Sequence, residues 1–304
     1  MTGRAVVEQG VIELVVRLYP AAYRQAHGAE IMATYREMTA GQPWRARLRE
    51  GVELVAHALR TRLRLGAAAP AGRFFALAAP LALGTAAAAS GLFVMRWYVG
   101  LVASPAPLLV QLKAGLDGWN VLLGCAVAIV VAAAAALAGA WRRGRWCAAA
   151  GSLGFAAAAV ISGPAFGDPV FTPAMMAITA LVMAACPPDR RDEAAAGAAV
   201  AVVAAVLVPL TALYARALPG ISTDYGSWPL LVLIAAGVIL AVRNRSVGAR
   251  ELGATAVASP PFVAYAYTSA GDHLLPAVLA AVLPVGALLA ALAVHLRRQV
   301  GSAR

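Results

Sequence analysis

FFALAAPLALGTAAAASGLFVM, residues 74–95, runs from end to end without an ionisable side chain. A helix needs about 20 apolar residues to cross the roughly 30 Å hydrocarbon core of a bilayer, so this stretch reads as a membrane span. The rest of the chain agrees. It is 62% hydrophobic and 13% charged, with a mean hydropathy of +0.76, whereas soluble domains average about 25% charged residues. Working outward, eight candidate spans appear: 74–95, 119–141, 146–165, 170–186, 195–217, 229–242, 252–270 and 274–296. The fourth and sixth are short, and the seventh contains Ser259-Pro260-Pro261. The runs are continuous and rich in Ala and Leu, without period-2 alternation, which favours helices over barrel strands. The predicted fold is all-α: a polytopic helical membrane protein with about eight transmembrane helices over 73–304, after a small amphipathic helical segment over 1–72.

Arginine placement predicts the topology. "WRRGRW" (141–146), "PPDRRDE" (187–193), "RNRSVGARE" (243–251) and the tail "HLRRQVGSAR" (295–304) read as loops or ends on one side. "SGPAFGDPVFTP" (162–173), "LPGISTDYGSWP" (218–229) and "SAGDHLLP" (269–276), with almost no basic residues, read as loops on the other. Lys and Arg are retained on the cytoplasmic side, so a multi-pass protein of the plasma (inner) membrane with both termini cytoplasmic is expected. Arg96 and Lys113 depart from the pattern, in the first outer loop. Because topology accounts for most of the arginines, the net charge of +11 points to the lipid bilayer as partner and not to nucleic acid.

The segment 1–73 differs from the rest: it is rich in both arginine and glutamate, with arginine in clear excess. Val7, Val11, Leu14 and Val15 share one face of a helix over 5–17, which Pro20 interrupts. Tyr23, Ile31, Met32 and Tyr35 form the apolar stripe of a second helical stretch, with a break or kink expected near Gly28. A third helix is predicted from about Trp44 to Leu65. Its Leu48, Val52, Val55 and Leu59 recur at i, i+4, i+7 and i+11, opposite Arg45, Arg49, Glu53 and Arg60. Arg60, Arg62, Arg64 and Arg73 then precede the first span, where each basic residue near an anionic headgroup contributes about 1 kcal/mol.

Within this segment, Leu18-Tyr19-Pro20, Tyr23-Arg24, His27-Gly28, Glu30 and Tyr35 form a spaced pattern. It resembles the short helical prefix that opens many bacterial, especially actinobacterial, membrane proteins. That prefix precedes some ABC-transporter permeases, and similar modules accompany small winged-helix regulators. The resemblance covers roughly a sixth of the chain and implies a cytoplasmic interaction module. It places partner binding on Tyr19, Pro20, Tyr23, Arg24, His27, Gly28, Glu30 and Tyr35, with an ATPase subunit or a transcriptional regulator as the partner. The chain departs from those permeases in lacking a large extracytoplasmic domain.

Chemistry inside the membrane is sparsely signalled. The expected spans place no ionisable residue near a bilayer centre. Asp272 and His273 are adjacent in an outer loop, where an aspartate beside an imidazole can bind a metal or move a proton; the plainer reading is a solvated loop. Pro260 and Pro261 break the seventh span beside Tyr265 and Tyr267, and broken helices form ligand sites in transporters. G-x-x-x-x-G-K-[ST], H-E-x-x-H and G-x-S-x-G are all absent. Cys125, Cys147 and Cys186 lack metal-site spacing. The expectation is a non-enzymatic regulatory or transporter-associated membrane component without cofactor or metal. A permease using the broken seventh helix is the alternative, followed by an intramembrane enzyme.

Overall fold

The computed structural model describes residues 15–63, 65–66, 69–107, 109–110, 113, 118–163, 170–187, 190–216, 228–243 and 248–269. The chain divides into two compact units, Met1–Arg73 and Phe74–Arg304. Among the described residues every regular element is a helix.

In the first unit α1 (Ala21–Thr39) and α2 (Trp44–Arg62) are joined by a turn through Gly41. Pro20 stands at the N-cap of α1, where its fixed φ and missing N–H suit a helix start. The expected break at Gly28 does not occur. A single glycine costs a helix interior only about 1 kcal/mol, and Gly28 is buried, with Val16 and Arg24 close beside it. Tyr23, Ile31, Met32 and Tyr35 are all half-buried, as one stripe requires. On α2, Val55 is half-buried and Ala58 fully buried. The side chains of Leu48, Val52 and Leu59, and Arg64 itself, lie outside the described residues, as does nearly all of the helix expected over 5–17.

The second unit holds α3 (Pro70–Ala103, from Phe74 on), α4 (Trp119–Leu137), α5 (Trp141–Ser162), α6 (Phe171–Ala185), α7 (Glu193–Arg216), α8 (Trp228–Arg243), α9 (Ala249–Ala258) and α10 (Pro260–Ser269). Among the described residues three helices are long and apolar enough to cross a membrane: Pro70–Val102, Trp119–Leu137 and Trp141–Ser162. Eight such spans are not supported among the described residues. The 15 residues of α6 and the 16 of α8 reach only about 22–24 Å at 1.5 Å per residue. The apolar part of α7 is Glu193–Pro209, and the seventh expected span is divided at Ser259. The eighth, 274–296, lies outside the described residues.

The stretch "WRRGRW" is also corrected, from loop to the first turns of α5. The chain reverses earlier, at Ala138-Gly139-Ala140, where Gly139 takes φ 122°, a conformation that favours glycine. Arg142 and Arg143 face outward while Arg145 turns fully inward.

Of the three long apolar helices α3 is the most buried, its apolar window 83% buried against 33% for α4. Small residues bring the backbones close. A Cβ on Gly84 would meet Ala199 of α7 at 2.9 Å, and one on Gly144 would meet the Ala132 carbonyl of α4 at 2.5 Å. Close approach of this kind is how helices associate where lipid removes the hydrophobic drive. Pro80 lies inside α3 and cannot donate to the carbonyl of Ala76; the backbone N–H of Asp192, in the α6–α7 connection, reaches that oxygen instead at 3.3 Å. The Asp192 carboxylate in turn accepts from the N–H of Ala195, capping α7.

These contacts bring the end of α4, the start of α5, the end of α6 and the start of α7 to one end of the bundle, near Ala76 of α3. At the other end Phe93 of α3 stacks on Trp119 at 6.1 Å and meets Phe155 edge-on at 5.5 Å. The outer faces expose large apolar side chains on successive helices, among them Val127 and Val131, Leu153 and Ile161, Leu181, Val208, and Ile239 and Val242. Large exposed apolar side chains in such number are what a lipid-facing surface requires.

Candidate functional site

Three of the residues singled out in the prefix, Tyr19, Tyr23 and Tyr35, hold the first unit together. Tyr19 is 3% exposed; its hydroxyl lies 2.9 Å from His57 Nδ1 on α2, with the Leu54 carbonyl at 3.5 Å. Tyr23 stacks on Tyr19 with ring centroids 5.4 Å apart and lies 4.8 Å from the His27 ring. The Tyr35 hydroxyl donates to the carbonyl of Arg47 at 3.2 Å. His27 is 3.5 Å from the Glu30 carboxylate, one turn on. Burial, then the neighbouring Tyr23 hydroxyl, pushes the Tyr19 phenol above its ordinary range, partly offset by Arg60. Burial, then the charge of Arg60, pushes the His57 imidazole down. The motif's aromatic residues are thus the clasp between α1 and α2.

Arg24 and Gly28 sit elsewhere. With Val16, Arg17, Ala29 and Met32 they line an open groove of about 470 Å³. Arg24, Gly28 and Met32 are spaced i, i+4, i+8 on α1, and so share one face. The Arg24 guanidinium donates to the backbone carbonyl of Arg17 at 3.3 Å. Arg60 and Arg62 belong to the last turn of α2, and Arg73 is exposed.

The helix break is real, and it is filled. Ser259, Pro260, Pro261 and Tyr265 are buried. The Ala256 carbonyl accepts from the Ser259 N–H and hydroxyl, at 3.2 and 2.8 Å. Tyr267 packs on Phe171 of α6 with centroids 4.5 Å apart. Asp272 and His273 lie outside the described residues. Among those that are described, no group of three or more His, Cys, Asp or Glu is placed to hold a metal ion.

Sequence reasoning missed the buried charges. Arg145 is 0% exposed; its guanidinium donates to the carbonyls of Cys186 and Pro187, past the end of α6, where the helix dipole favours a cation. Trp141 has Arg145 and Arg191 each 5.9 Å from its ring. Arg191 also grips both oxygens of Glu193 and donates to the Ala136 carbonyl at the end of α4. Glu251, read as the end of a loop, is 2% exposed in the first turn of α9. A Trp–Arg pair at i, i+4 opening an apolar run was the one available signal for Arg145.

No family model matches the chain, and no curated protein or solved structure matches it either.

Proposed function

We propose that this chain is a non-enzymatic integral protein of a bacterial plasma membrane. In this reading it crosses the bilayer about eight times with both termini cytoplasmic, and residues 1–72 bind a cytoplasmic protein: an ATPase subunit or a transcriptional regulator. The observation that carries the reading is the separateness of the first unit. Tyr19, Tyr23 and His57 clasp α1 to α2, while Arg17, Arg24 and Met32 line a groove. The gathering of Arg142, Arg143 and Arg191 at one end of the bundle supports the orientation, because basic residues are retained on the cytoplasmic side.

Co-purification in mild detergent from the native membrane tests this, comparing the full-length chain with one lacking residues 1–70. An ATPase or a DNA-binding regulator recovered only with the full-length chain supports the reading. If both forms return alone, the membrane unit acts by itself and the reading fails.

A further inference from the structure

The groove beside α1 joins a pair of cations to a small apolar floor, and that combination selects its occupant. Arg17 and Arg24 both line it, and the Arg24 guanidinium also donates to the backbone carbonyl of Arg17 at 3.3 Å. Val16, Gly28, Ala29 and Met32 supply the rest of the lining, with Gly28 buried against Val16 and the Arg24 stem. Arginine presents a planar fork of donors that matches a carboxylate. Arginines well outnumber acidic side chains over 1–73, so the unit as a whole attracts anionic partners. At about 470 Å³ the groove is within the usual size range of ligand sites. Three small-to-medium apolar residues in an open groove take one or two side chains and give no enclosed channel for an acyl chain.

We propose that this groove docks an acidic segment of the cytoplasmic protein partner, an inference that rests on the functional reading above. A carboxylate of that segment is held between Arg17 and Arg24, and a flanking apolar side chain sits on Val16, Ala29 and Met32. Of the eight prefix residues, Arg24 and Gly28 meet the partner, whereas Tyr19, Tyr23 and Tyr35 act by holding α1 against α2.

The test places a photoreactive benzophenone side chain at Ala29 in the full-length protein in its native membrane and maps the cross-linked peptide by mass spectrometry. The expected product joins position 29 to a segment bearing Asp or Glu beside apolar residues. Its yield falls about tenfold in Arg17→Glu/Arg24→Glu, the scale of losing charge-assisted contacts. Reversing the mapped acidic residues to Lys restores it. Arg36→Glu, one turn beyond Met32 on α1 and not part of the groove lining, lowers the yield far less than the double reversal and controls for net charge. Cross-linking that ignores the double reversal overturns the proposal, as does cross-linking to lipid alone that tracks anionic lipid content. If a partner still requires residues 1–70 but never cross-links at position 29, the groove is wrong and the functional reading stands. If no partner requires residues 1–70, both fall.

Discussion

The Thr85 hydroxyl donates to the carbonyl oxygen of Ala258 at 2.7 Å, between residues 173 apart in sequence and in a fully buried setting. In an unbroken helix that carbonyl would accept from the N–H of Phe262, which bonds instead to Ser259 at 2.9 Å. Transporters leave such freed groups facing a ligand; here side chains of the protein itself occupy them.

Thr85→Val keeps the shape of the side chain and removes the donor. It is expected to lower stability by about 1 kcal/mol, while Thr85→Ser keeps most of it. Thermal unfolding in detergent reads the difference; an unchanged midpoint in Thr85→Val would show that Ala258 finds another donor.

Arg145→Ala removes the cation that caps α6 and leaves the Cys186 and Pro187 carbonyls buried. The expected loss is about 3 kcal/mol. Arg143→Ala, two positions away and exposed, is expected within about 0.5 kcal/mol of wild type. The same unfolding measurement separates them, and equal effects would mean that the burial of Arg145 carries no energetic weight.

Two glycines make a matched pair. A Cβ on Gly144 would meet the Ala132 carbonyl at 2.5 Å and the Ala136 nitrogen at 2.6 Å, whereas one on Gly124 would meet nothing within 4 Å. Gly144→Ala is expected to cost about 1–3 kcal/mol by forcing α4 and α5 apart. Gly124→Ala is expected to be neutral or to gain up to about 1 kcal/mol.

The Tyr19–His57 clasp makes the first unit sensitive to pH on both sides. His57 titrates below its ordinary 6.5 when folded. Its contribution is therefore complete above that value and lost as pH falls through the folded pKa. Tyr19 titrates above its ordinary 10.0, so its contribution is complete below 10.0 and lost as pH rises through the folded value. Hydrogen exchange over residues 21–62 of the full-length protein, corrected for intrinsic rates, should show protection falling at both extremes. The acid limb should disappear in His57→Gln.

Part of this was legible in the sequence. Residues 74–95 announce a span because an uninterrupted apolar run has few alternatives, and Pro20 and Pro260 mark real boundaries because proline removes a donor. Gly28 misled, since glycine permits a break without requiring one. The residues from Arg142 to Trp146 misled because charge was read as loop, although arginine is a good helix former and Gly139 had already reversed the chain. Arg145 and Glu251 were hidden for a related reason. Their burial depends on which face of α5 and of α9 meets the other helices, and that is a tertiary property. In the prefix, the pattern did not separate Tyr19, which clasps, from Arg24, which lines the groove.

The most direct test of a cytoplasmic prefix on a multi-pass bundle is thiol labelling with a membrane-impermeant maleimide. It uses a background in which Cys125, Cys147 and Cys186 are replaced by alanine, with single reporter cysteines at Ala29, Arg142 and Val170. The account predicts that positions 29 and 142 react only after permeabilisation, while position 170 reacts in intact cells. Labelling of position 29 from outside, or of 142 and 170 from the same side, would contradict it.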